Sequence, residues 1–145
     1  MKWLWVGLAL LVVGLFLFVV PFPVHSQVTS VTLDWTAPGD DGDVGTAASY
    51  EMRWSAVAPD TLSSTTMNAW WAAATNVSGL PTPLIAGTTQ SITITPPSGF
   101  LTGTTYYFVA RARDEAGNLS AYSNVATKLV PDATPPRRIV DLRTR

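Results

Sequence analysis

Three observations in the sequence predict an all-β fold, a sandwich of antiparallel sheets. Short segments alternate apolar and polar residues with a period of two, the pattern of a strand with one buried face. Those segments are rich in Val, Ile, Thr and aromatic residues, which suit a pleated, half-buried surface. Clusters of Gly, Pro, Asp, Asn and Ser close each of them. Five or six such segments separated by turn signals make a two-sheet architecture.

The first segment is residues 28–36 (VTSVTLDWT), where Val31, Leu33 and Trp35 share one face and Thr32, Asp34 and Thr36 the other. Ala37-Pro38-Gly39 stops it, and a loop rich in Asp and Gly follows over residues 40–45. The second segment is residues 49–55 (SYEMRWS), with Tyr50, Met52 and Trp54 alternating with Glu51 and Arg53. Residues 56–66 read as loop. Residues 68–74 (NAWWAAA) read as a short helical turn capped by Asn68, too short to stand alone and therefore docked on the sheet. Residues 89–95 form the next strand, with Ile92 and Ile94 on one face.

The longest pattern spans residues 100–126: a corner, a long strand, a polar turn and a returning strand around residues 123–125. Tyr106, Phe108, Ala110 and Ala112 share the core face. Tyr107, Val109, Arg111 and Arg113 take the other face, which grows polar toward the turn and is expected to be partly wet. The turn is Asp114-Glu115-Ala116-Gly117-Asn118, with Gly117 and Asn118 suited to positive φ. Beyond it, residues 131–136 have the composition of an extended linker, and residues 139–142 form one more short candidate strand.

The first 26 residues stand apart. Lys2 precedes an apolar run over residues 3–20, and Pro21-Phe22-Pro23-Val24-His25-Ser26 then offers small residues at the cleavage positions. This is a signal peptide ending at Ser26, with an uncleaved single-pass membrane anchor as the rival reading, because the run is near the length that spans a bilayer. Either reading places the remainder in a secreted or cell-surface setting. The absence of cysteine excludes disulfides and thiolate metal sites, so stability must come from packing. Without Lys2, eight basic side chains face ten acidic ones, a net charge of −2, which is no footprint for nucleic acid. His25, the one histidine, lies before the cleavage point. A mature chain without imidazole lacks the commonest general base, so the expectation is a non-catalytic protein with no cofactor.

The order and spacing of these residues resemble a fibronectin type III domain of the kind repeated in bacterial extracellular proteins, from about Val28 to Thr127. Trp35 is similar to that family's strand-B tryptophan and Tyr50 to its strand-C tyrosine. Gly103-Thr104-Thr105-Tyr106-Tyr107-Phe108 is similar to the corner and start of strand F, with Tyr106 as the corner tyrosine. The resemblance implies an immunoglobulin-like sandwich of about seven antiparallel strands. The division expected is 1–26 leader, 27–130 domain and 131–145 linker with the first strand of a following module. It also leaves little room for a strand A, and the tail from Pro135 to Leu142 itself resembles one. That tail belongs to a tandem array or fills the vacant position, in its own domain or a neighbour's.

Three groups are candidate sites. Asp40, Asp41 and Asp43 cluster oxygen ligands of the type calcium takes, against the plain need of turns for Asp and Gly. Trp54, Trp70 and Trp71 can stack on sugars if exposed, against ordinary burial, with the expectation that adjacent tryptophans are not both buried. The loop at residues 114–118 lies where some members of the family bind receptors but lacks Arg-Gly-Asp. Trp35, Tyr50, Tyr106 and Phe108 are structural anchors. The partners implied are other extracellular proteins, surface polymers or neighbouring modules. The membrane joins them only if the leader is retained. The functional expectation is a spacer or interaction module, with an adhesive or carbohydrate-binding module and a self-assembling subunit as the alternatives.

Overall fold

A computed structural model describes residues 30–132 and 136–144. Six strands and one helix run in the order β1 (Val31–Thr36), β2 (Ser49–Ser55), α1 (Ser64–Ala73), β3 (Thr75–Asn76), β4 (Thr89–Ile94), β5 (Thr105–Arg113) and β6 (Ala126–Leu129). They form two antiparallel sheets, one of order β1-β4 and one of order β3-β2-β5-β6.

On β1, β4 and the inner face of β5 the alternation predicted is the alternation observed, while on β2 Met52 is buried and the other residues are half-buried. Val31 is buried and Leu33 and Trp35 half-buried, while Thr32, Asp34 and Thr36 are exposed. On β5, Tyr106, Phe108 and Ala112 are buried and Ala110 half-buried on the inner face. Tyr106, Phe108 and Ala110 meet Val31, Met52, Val77, Ile94, Phe100 and Val130 in one core between the sheets. Phe100 is its centre, fully buried, with its ring edge-on to Tyr106 at 4.7 Å, Trp54 at 5.4 Å and Phe108 at 6.2 Å. The Tyr106 hydroxyl accepts a hydrogen bond from Leu101 N at 3.0 Å, which fixes the corner where the chain crosses between sheets.

The helix corrects the sequence reading. It starts at Ser64, earlier than residue 68, and its cap is Ser63, whose Oγ accepts from Thr66 N at 3.1 Å. Met67, Trp70, Trp71 and Ala74 recur at i, i+3, i+4 and i+7, so they line one stripe and pack on Val109, Tyr107, Tyr122 and Val125. The helix covers the outer face of β5 at Val109, which is 1% exposed, while Tyr107, Arg111 and Arg113 stay half-buried, the partly wet face expected. Arg53 on β2 donates from Nη1 to the Trp71 carbonyl at 2.5 Å, placing a cation at the helix C-terminus.

Four further expectations change. The first strand begins at Val31 among the described residues, with residues 28 and 29 outside them. The returning strand is Ala126–Leu129, later than residues 123–125. Ahead of it, Ser120 and Ser123 take over the ladder: their backbone N–H groups donate to Ala112 O and Ala110 O, and their hydroxyls accept from Ala112 N and Ala110 N at 2.9 and 3.0 Å. Each serine thus supplies with its side chain the acceptor a regular strand supplies with its carbonyl, and the segment holds to β5 without strand geometry. At the turn only Gly117 has positive φ, at 90°, because Asn118 is held by Asp114 instead. Residues 139–142 are exposed and form no strand, and the described residues show six strands where seven were expected.

Candidate functional site

The three sequence-derived groups come out differently. The loop of Asp40, Asp41 and Asp43 is a tight turn, with Gly39 N donating to Gly42 O at 2.8 Å and Asp40 N to Val44 O at 2.8 Å. Gly39 is required there, because a Cβ would lie 2.3 Å from Val44 N and O. Asp41 and Asp43 are exposed, while Asp40 turns toward Glu115 and Asp114 of the neighbouring loop. Hydrogen bonding with Glu115, then loss of solvation and the nearby carboxylates, pushes Asp40 above its ordinary 3.8. Among the described residues no three His, Cys, Asp or Glu side chains are grouped to hold a metal ion. The three aspartates are thus not grouped with one another, and they sit in a turn of the kind that favours Asp and Gly.

The tryptophans are packed. Trp70 and Trp71 are 8% and 5% exposed, so the expectation that adjacent tryptophans are not both buried is overturned. The helix allows it because residues i+3 and i+4 from Met67 fall on the same stripe. Trp70 Nε1 donates to Val57 O at 2.7 Å, and Trp71 lies under Arg53 and Arg111, whose guanidinium carbons sit 5.1 and 4.6 Å from its ring centre. Trp54 is half-buried, edge-on to Phe100 and Tyr106. Trp70 and Trp71, being buried, present no open ring face for a sugar.

The residues expected as structural anchors include a pair that joins the sheets. Trp35 meets Tyr50 edge-on at 5.4 Å, and the Tyr50 hydroxyl donates to Gln90 Oε1 at 2.7 Å. On the outer face of the larger sheet, Glu51 lies directly opposite Arg111 and diagonal to Arg113. It bridges both, at 2.7 Å to Arg111 Nη2 and 2.5 Å to Arg113 Nη2. The Arg113 hydrogen bond, aided by Arg111, holds the Glu51 carboxyl below its ordinary 4.5 against the opposing push of partial burial. In the turn, the hydrogen bond from the Asn118 side chain lowers Asp114, helped by backbone N–H groups.

A fourth feature is a groove, of which the sequence indicated only a vacant strand position. Beside β1 a groove runs the length of the sandwich, between β1 and the serine-held segment ahead of β6. Its middle is a cavity of about 390 Å³ lined by Trp35, Met52, Ala110, Ala112 and Ser123 among others. It continues past Leu33, Phe108 and Ala126 at one end and past Pro38, Asp40 and Asn118 at the other. The signal for it was present. On the inner face of β5 the side chains shrink from Tyr106 and Phe108 to Ala110 and Ala112, so the core narrows where β1 has no neighbour on its outer side among the described residues. The expected leader, residues 1–26, lies outside the described residues, among which no helix is long and apolar enough to cross a membrane.

Compared with known proteins, the chain matches no family model, no curated protein and no solved structure.

Proposed function

We propose that this chain is a non-catalytic, extracellular fibronectin type III module, acting as a spacer and interaction unit of an exported protein. The observation that carries this reading is the corner at Tyr106 within the strand order β1-β4 over β3-β2-β5-β6. The strands that the sequence resemblance assigns to positions C and F lie side by side as β2 and β5. The strand assigned to position B lies in the opposite sheet as β1. The module's role is geometric: a sandwich tied together by Phe100, Tyr106 and the Tyr50–Gln90 bond keeps its loops at a fixed separation. Fold likeness does not itself assign function, so the extracellular setting carries the weight of the test.

An epitope tag placed after Arg145 provides that test. On intact cells, added protease should destroy the tag, and the exported chain should begin at Gln27 on N-terminal sequencing. A tag that survives on intact cells and is digested only after lysis overturns the extracellular assignment.

A further inference from the structure

We infer that the groove beside β1 is a docking site for a β-strand from a second copy of this chain, residues 138–142, laid antiparallel to β1. The inference rests on the open groove and the tail, and stands apart from the extracellular setting proposed above.

The outer edge of β1 is unpaired among the described residues, leaving a row of backbone N–H and C=O groups available to an incoming strand. Behind that edge the cavity bottoms on Ala110 and Ala112, two small inner-face residues separated by two positions. The tail carries the matching pattern. In Arg138-Ile139-Val140-Asp141-Leu142, Val140 and Leu142 are also two positions apart and share one face of an extended strand. Both are largely exposed, at 72% and 88%. Docking places these two side chains over the two alanines and turns Asp141 outward. Trp35 lines the same cavity, and its Nε1 is buried without an acceptor among the described residues.

Strand direction selects a second copy over the same chain. Asp40 and Asp114, just beyond the C-terminal ends of β1 and β5, line one cavity, so these two strands end at the same end of the sandwich. Thr105 at the start of β5 pairs with Leu129, so β6 ends at the opposite end, where β1 begins. A tail leaving Val130 therefore runs alongside its own β1 in the same direction, as a parallel strand with no crossover to support it. The tail of a copy stacked on the opposite end runs down β1 antiparallel, in the favoured pairing. Each copy then gives a tail at one end and takes one along its flank. That is a head-to-tail contact, which extends into a series unless it closes into a ring.

Because the chain contains no cysteine, single substitutions give a clean test on the full exported chain. T36C protein and I139C protein are purified separately, mixed and oxidised, beside a chain carrying both substitutions. The expected result is a disulfide-linked mixed dimer, with light scattering showing species larger than a monomer. Adding V140D and L142D to the I139C partner should remove the mixed dimer and raise the concentration needed for assembly by at least about tenfold. These two residues are exposed in the single chain, so its melting temperature should not change. A disulfide that forms only within the doubly substituted monomer overturns the second-copy assignment in favour of the chain's own tail. No disulfide in either arrangement, with monomers throughout, overturns strand docking altogether.

Discussion

Tyr50 on β2 and Gln90 on β4 join the two sheets through a 2.7 Å hydrogen bond from the phenol to the amide oxygen. Gln90 is 7% exposed and is also bonded by its neighbours: its Oε1 accepts from Leu84 N at 3.1 Å, and its Nε2 donates to Thr82 O at 2.9 Å. It stands opposite Trp35 in the β1–β4 ladder, so the ring that packs on Tyr50 and the amide that bonds it come from paired strands. A buried polar side chain held by three hydrogen bonds specifies how the sheets face each other.

The two halves of that bond should differ on mutation. Tyr50→Phe keeps the ring and removes one donor, at an expected cost of about 1 kcal/mol. Gln90→Leu leaves Leu84 N, Thr82 O and the phenol without their partner, and about 2–4 kcal/mol is expected. Urea denaturation of both variants measures the difference. Equal losses would mean that Gln90 contributes only through Tyr50.

The Glu51 bridge makes stability depend on pH. Its carboxyl is held below 4.5 in the folded protein by Arg113 and Arg111, so the folded state binds the proton less readily than the unfolded one. The contribution is complete above about pH 4.5 and disappears as pH falls through the lower folded value. Glu51→Gln should lower stability by about 1 kcal/mol near neutral pH, since the partners are partly exposed. Parent and variant curves should converge in acid. A difference that persists unchanged at pH 2 would assign the loss to packing instead of charge.

Trp71 holds the helix to the sheet. Its ring carries Arg53 and Arg111 at cation–π distance and meets Tyr122 at 5.0 Å, while the Tyr122 hydroxyl donates to Asn68 at 2.8 Å. Trp71→Ala should cost about 3–5 kcal/mol, and Trp71→Phe distinctly less. In the parent protein the fluorescence of Trp70 and Trp71 should resist iodide quenching, because both are buried. Quenching as efficient as for free tryptophan would show that the helix lifts off the sheet.

Strands were legible in this sequence wherever one face is buried and the other wet, because that alternation has a physical cause in β1, β4 and the inner face of β5. The corner was legible through Tyr106, and the pairing of Tyr50 with its surroundings through residue type. The helix was half legible. Its stripe of Met67, Trp70, Trp71 and Ala74 has helical spacing, but Ser64, Thr65 and Thr66 are weak helix formers and masked its start. Only packing against Val109 decides it. The split between the serine-held segment and β6 was hidden because hydroxyl acceptors in place of carbonyls leave no periodic trace. The groove was legible only as a vacant strand position, and its lining was hidden for a different reason. It is set by what does not pair with β1, and periodicity reports a strand's faces, not its edges.

Filling the groove from within should separate its two consequences. Enlarging a side chain in a close-packed core strains it, but Ala110 borders open space. Ala110→Leu buries several methyl and methylene groups in that space and should stabilise the single chain by about 1 kcal/mol, after some loss to imperfect fit. The same side chain occupies the volume that Val140 or Leu142 of a second copy would take, so light scattering should show monomers at concentrations where the parent assembles. Higher stability with assembly intact would place the docking contact elsewhere. Lower stability would mean that the alanines are already enclosed by their own chain, and that the cavity beside β1 is narrower in solution than its lining indicates.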